Sequence, residues 1–271
     1  MENSAPLLVN GEPFKGNVIN DSNADVIING FRPDEFYGED GVYWHPIHDP
    51  DHPYYHPNSR IRNNRKECIF QKRDLLIIAA RNVKIINNFC QLDIFSAKSI
   101  LFDDSGVDYS KYDDGDYSHN HIRIFGANHN IKIISTYDYL RLQIFCSYSS
   151  IEIPDLEGDA FRPWIEGSNL NIKFTSDSYE PCYMQLDVSN SNIEFHGGYP
   201  FHEGIFTVSN TAITFFSEEV FSEALRDLKS ENICDENGPL KNNKIYLCVP
   251  QAELIDAEAI RKYSNNEENN A

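Results

Sequence analysis

A chain of 271 residues with 41% hydrophobic and 13% aromatic residues has the apolar surface for a real core, which excludes an intrinsically disordered acidic protein. Its formal net charge of −19 repels phosphates and anionic lipid headgroups, so nucleic acid and membrane surfaces are disfavoured as partners and basic proteins favoured. The six cysteines, at 68, 90, 146, 182, 234 and 248, form no CxxC and no close pair, which excludes a zinc-ribbon or redox spacing.

The first residues, "MENSAPLLVNGEPFKG", have no basic segment leading into an apolar one, and no run of about 18 apolar residues follows anywhere. The expectation is a cytoplasmic protein with reduced thiols and no cofactor. The first patterned stretch is "VINDSNADVIING" (18–30), in which two alternating apolar runs flank a polar corner and a Gly closes the unit. Period-two alternation predicts a short strand with one buried face on each side of a tight bend.

An insertion from about 31 to 74 comes next. It contains "YWHPIHDPDHPYYHP" (43–57), whose His45, His48, His52 and His56 sit among Asp49, Asp51 and four prolines. The prolines forbid a helix that would align histidines four apart, and an extended run brings together only His48 and His52. No metal site is therefore expected, with His48 and His52 as the nearest candidates. "SRIRNNRKECIFQKR" (59–73) carries Arg60, Arg62, Arg65, Lys66, Lys72 and Arg73 against Glu67, and reads as a solvated patch that offsets the chain's acidity.

"LLIIAARNVKIIN" (75–87) and "LDIFSAKSILF" (92–102) repeat the opening pattern. A second insertion, "DDSGVDYSKYDDGDYSHN" (103–120), clusters Asp103, Asp104, Asp108, Asp113, Asp114 and Asp116 with Tyr109, Tyr112 and Tyr117. Carboxylates around a Gly suit hard cations, but the EF-hand spacing and its terminal Glu are missing. Such a loop is a contact surface for a basic protein. Alternatively, paired Asp could act as general acid and base on a sugar, with Tyr and Trp164 as stacking platforms.

The pattern then returns at 122–134, 142–153, 164–174, 186–195 and 206–215. Aligning the apolar residue after each corner gives Val26, Val83, Ile100, Ile131, Ile151, Ile172, Ile193 and Ile213, with steps of 20, 21, 21 and 20 from Ile131 onward. Asn recurs at or near the corner, at Asn23, Asn82, Asn130, Asn171, Asn192 and Asn210, and predicts side-chain bonds from one unit to the next. The connections 154–163, 175–183 and 196–204 share one phase, and the first supplies Asp155, Glu157 and Asp159. Equal phase puts all the polar loops on one flank.

After 216 the period changes. "SEEVFSEALRDLKSEN" (217–232) has helical apolar spacing and Ser217 as a cap, "KIYLCVP" (244–250) reads as a strand, and "QAELIDAEAIRKY" (251–263) reads as a second helix. This 217–263 helix-strand-helix cap would cover one end of the repeat array, leaving 264–271 as a disordered tail.

Through "LDVSNSNIEF" and its siblings, over about residues 17–216, the chain resembles the right-handed parallel β-helices of the pectin-lyase-like superfamily. The resemblance implies an all-β solenoid of about eight coils with long lateral loops, and allows a carbohydrate-active lyase or hydrolase that uses Asp of the 103–116 loop. No Walker loop, GxGxxG or GxSxG elbow is present. The leading expectation is a non-catalytic, inhibitor- or immunity-type protein engaging a basic macromolecule through acidic, Tyr-rich loops. A structural module of a larger assembly, oligomerising through an end or flank, is the third reading.

Overall fold

The computed structural model describes residues 7–31, 74–88, 91–107, 121–135, 141–153, 163–175, 184–197, 205–229, 243–248 and 252–255. Wherever apolar residues alternate, the chain is a strand. In order these are β1 (Leu7–Val9), β2 (Glu12–Pro13), β3 (Val18–Asn20), β4 (Asp25–Phe31), β5 (Asp74–Asn88), β6 (Gln91–Ile94), β7 (Ala97–Asp103), β8 (His121–Ala127), β9 (Asn130–Ser135) and β10 (Arg141–Ser147). They continue as β11 (Ser150–Ile153), β12 (Trp164–Ser168), β13 (Asn171–Phe174), β14 (Gln185–Ser189), β15 (Asn192–Phe195), β16 (Ile205–Ser209) and β17 (Ala212–Phe215). Helix α1 (Glu218–Lys229), β18 (Lys244–Cys248) and β19 (Ala252–Ile255) follow. The expected all-β, parallel character is observed.

Successive strands alternate between two parallel ladders. The first runs β3, β5, β6, β8, β10, β12, β14, β16, and the second runs β4, β5, β7, β9, β11, β13, β15, β17, β18. The eight aligned residues from Val26 to Ile213 form one unbroken column of register partners in the second ladder. A one-residue slip anywhere would turn that column outward, so burial itself enforces the register. Beside it lie Ile133, Ile153, Phe174, Phe195 and Phe215, with the Phe174–Phe195 and Phe195–Phe215 rings stacked at 5.0 Å. The first ladder contributes Ile124, Ile144, Ile165 and Leu186 to the same core. Each fully buried side chain of this size stabilises the fold by about 1.5–3 kcal/mol.

Between ladders the chain turns on one residue with a left-handed backbone: Asn128, Tyr148, Asn169, Asn190 and Asn210, at φ between 50° and 63°. Asn tolerates this conformation because its short amide bonds locally, which explains the recurrence. The turning asparagines stand two positions before Asn130, Asn171 and Asn192, which instead begin β9, β13 and β15. The expected unit-to-unit amide bond is made by Asn210 to Asn190. The corners at 21–24, 79–82 and 95–96 have no such residue, and at 79–82 β5 passes through as one strand, pairing first with β3 and then with β4.

A sharp turn strands a backbone N–H, and a buried hydroxyl of the next unit takes it up while donating to a carbonyl that also accepts a corner N–H. Ser149 Oγ accepts the N–H of His129 (3.0 Å) and donates to Ser147 O (2.8 Å). Ser191 Oγ repeats this with Leu170 N (3.0 Å) and Ser189 O (2.8 Å). Thr211 does so with Ser191 N (3.3 Å) and Ser209 O (2.9 Å). At the last corner Asn243 substitutes for a further unit: its Oδ1 accepts Thr211 N–H (2.7 Å) and its Nδ2 donates to Val208 O (3.0 Å).

At the N-terminal end β1 pairs antiparallel with β2 and β4. At the other end Ser217 Oγ accepts the Val220 N–H, and α1 adds Val220, Phe221 and Ala224 to the core, with Phe221 5.3 Å from Phe215. The second helix expected over 251–263 is not formed at its start. Ala252–Ile255 is β19, antiparallel to β18, because pairing along an open strand edge outweighs modest helix propensity. Residues 256–263 and the tail lie outside the described residues. No helix among the described residues is long and apolar enough to cross a membrane.

Candidate functional site

Of the acidic residues singled out from sequence, Asp103 and Asp104 are described. Asp103 ends β7, where its Oδ2 accepts from Lys84 Nζ (3.1 Å) and its Oδ1 from Ser105 Oγ (2.7 Å). Those two bonds, Ser105's first, hold its carboxyl below the usual carboxylate range. Asp104 is buried, and its carbonyl accepts the Val107 N–H at 2.8 Å. Both serve the turn that leaves β7. Asp108, Tyr109, Tyr112, Asp113, Asp114, Asp116, Tyr117, Asp155, Glu157 and Asp159, with His48 and His52, lie outside the described residues.

Trp164 opens β12 on the outer face of the first ladder. Its ring meets Phe145 edge-on at 5.3 Å, the last member of a column in which Phe95 and Phe125 stack at 5.0 Å, and Phe125 and Phe145 at 5.7 Å. In-register outward positions place rings one strand apart, and stacking follows from that spacing. In the N-terminal half this outer face is buried, with Leu76, Ile78, Phe95 and Phe125 forming a second apolar cluster. Within it Arg123 forks onto Asp93 of the neighbouring strand, Nε to Oδ1 and a terminal nitrogen to Oδ2, both at 2.6 Å. The pair is 5% and 0% exposed, and the Arg123 guanidinium carbon lies 5.8 Å from the Phe125 ring centre.

Further along, the same face opens. The outward row that contains Phe125 and Phe145 continues in register as Glu166, Asp187 and Thr207. Here lies a groove of about 460 Å³, with Phe145, Glu166 and Asp187 on it and Ser147, Ser168 and Ser189 along one side. Its floor is tight at Gly167, where a Cβ would come within 1.8 Å of the Cys146 carbonyl oxygen, so no other residue fits without moving the strand. Burial pushes the neighbouring Cys146 thiol up to about 11, which leaves it protonated and unreactive. Tyr148, 65% exposed and in the left-handed conformation that Asn holds at the other corners, directly follows Ser147.

Glu166 and Asp187 are register partners with like charge, an arrangement that works against the sheet. Neither is in an ion pair among the described residues. Glu166 is half-buried and Asp187 exposed. Sequence reasoning passed over both, although they share a phase with Phe145 at steps of 21. Reading the outward positions down the aligned repeats would have found them.

No family model matches the chain, and no curated protein or solved structure matches it.

Proposed function

We propose that this is a non-catalytic binding protein that engages a basic macromolecule through the acidic groove on the outer face of its first ladder, in the manner of an inhibitor or immunity protein. The observation that carries the proposal is the Glu166–Asp187 pair: two like charges held side by side, next to the Phe145 ring, with no cation paired with them among the described residues. A partner's cations would relieve that repulsion, and the ring would supply the apolar contact that a binding surface needs. The net charge of −19 would speed the encounter from a distance. In the same reading the two ladders wind as a right-handed β-solenoid, a rigid rod that fixes the groove before the partner arrives.

The test is affinity capture from native lysate with the wild type and with Glu166→Gln/Asp187→Asn, followed by calorimetry on the purified captured protein. The expected result is a stoichiometric basic partner whose affinity falls with salt and falls at least tenfold in the double variant, which equals about 1.4 kcal/mol. Unchanged affinity in the variant overturns the assignment of the groove.

A second reading rests on the same pair. Register partners on parallel strands have backbones about 4.8 Å apart, a spacing from which two side chains can reach the roughly 5–5.5 Å carboxylate separation of retaining glycosidases. In the 103–116 loop the Asp103 oxygens are bonded to Lys84 and Ser105, and the remaining loop carboxylates beyond Asp104 lie outside the described residues, so this reading is drawn at Glu166 and Asp187. Release of reducing sugar from a glycan or uronide panel, abolished by either Glu166→Gln or Asp187→Asn, would favour it over binding.

A further inference from the structure

We infer that the groove selects arginine over lysine, receiving a guanidinium beside the Phe145 ring and the Glu166–Asp187 pair. The inference rests on the binding reading and names the chemistry of the side chain received.

The molecule already builds such a site for itself. Arg123 lies across one strand spacing from Asp93, bonds both carboxylate oxygens at 2.6 Å, and has Phe125 beside it at 5.8 Å. The ingredients are a carboxylate on the adjacent strand and a phenyl ring on the same face. One strand further on, the row that carries Phe125 offers Phe145, and on the strand after that Glu166. What the first site has and the second, among the described residues, lacks is the arginine. In its place stands the second carboxylate, Asp187, one strand beyond Glu166.

Three features of the groove suit a guanidinium better than an ammonium. A planar cation with five N–H donors can bond two carboxylates one strand apart at once, whereas a lysine ammonium is a compact charge that pairs well with one. The hydroxyl oxygens of Ser147, Ser168 and Ser189, in register beside the pair, accept from the remaining donors. The aromatic column stops at Phe145 and Trp164, and a weakly hydrated guanidinium can extend it as the next flat layer. The groove, about 460 Å³, extends past the pair to Ser209, so the arginine arrives on a longer segment of its carrier.

Fluorescence anisotropy with labelled octa-arginine and octa-lysine peptides on the intact protein at 0.15 M salt tests this. The expected result is about tenfold tighter binding of octa-arginine, with the preference falling to near unity in Glu166→Gln/Asp187→Asn and weakening about threefold in Phe145→Leu. Circular dichroism checks that each variant is folded, and the single Glu166→Gln variant, at a half-exposed position, serves if Phe145→Leu is not. Equal binding of the two peptides, or a preference that survives in the double variant, overturns the inference and leaves the binding reading standing. Failure of both peptides to bind even at low salt overturns both. If the wild type self-associates in sedimentation and the double variant does not, the groove belongs to the basic 59–73 stretch of a second copy, which overturns reception of a foreign arginine.

Discussion

The two ladders share one core but treat their outer faces in opposite ways. On the second, the outward row reads Lys132, Glu152, Lys173, Glu194 in strict alternation, with Lys132 Nζ 3.2 Å from Glu152. On the first, the corresponding row reads Phe125, Phe145, Glu166, Asp187, with rings stacked on rings and acid beside acid. A parallel ladder brings every residue next to its counterpart one unit away, so a face left to stability alone settles into alternating charge. The first face departs from that rule, and the proposed binding function rests on the departure.

The comparison breaks most visibly at its two kinds of ion pair. Asp93→Ala leaves the Arg123 guanidinium buried without its main partner and is expected to cost about 3–5 kcal/mol, read as a lowered denaturation midpoint. Lys132→Ala, at an exposed pair on the other face, is expected to cost no more than about 1 kcal/mol. Equal losses would mean that the two faces do not differ in the way described.

Removing a corner hydroxyl loosens both ladders together. Ser191→Ala strands the Leu170 N–H and removes one of two bonds to the Ser189 carbonyl, which keeps the Asn169 N–H, and its expected cost is about 1–3 kcal/mol by urea unfolding. Hydrogen exchange at Leu170 should quicken with it. If only one ladder loosens, the corner is not the shared joint between them.

Imposing the second face's rule on the first sharpens the contrast. Asp187→Lys restores alternation beside Glu166 and is expected to stabilise the fold by about 0.2–1 kcal/mol while abolishing capture of the basic partner. A gain in stability with capture intact would remove the groove from the binding reading.

The smallest effect concerns pH. The Glu194 carboxyl is held below its ordinary value of 4.5 chiefly by its 2.8 Å bond to His196, whose ring stacks on Phe216 at 4.0 Å. A carboxyl whose pKa is lower folded than unfolded binds fewer protons in the native state. Its stabilisation is therefore complete above the unfolded value and fades as pH falls through the folded one. His196→Ala should slightly lower stability near neutrality, leave it unchanged at pH below the folded value, and so flatten the acid limb of the stability profile. An unaltered limb would show that the pair is not felt.

Much of the fold was legible because two signals coincide every 20 or 21 residues: alternation that buries one face, and a corner residue that accepts left-handed backbone. That sufficed to align Val26 with Ile213 through six intermediates that are register partners. It failed where one signal was missing. At 79–82 the turning Asn is absent and the strand runs on, and at 252–255 a segment with helical spacing completes a sheet edge. The groove was hard to see for a different reason. Glu166 and Asp187 are ordinary outward residues in ordinary strands, and only their adjacency across 21 residues of sequence is unusual. In the acid-rich insertions the local density of carboxylates is conspicuous in the sequence but shows nothing of what stands next to what.

Asn243 has a consequence beyond its two hydrogen bonds. A stack of equivalent rungs has no intrinsic length, and its open end is chemically the growing tip of a filament. By answering the last corner with a side-chain amide in place of another turn of backbone, Asn243 occupies the bonds at Val208 and Thr211 through which a further rung would be read off. It acts as a full stop in a sentence that could otherwise be extended by any neighbour speaking the same grammar, and it helps make this array a molecule of fixed size and not the first segment of a fibre.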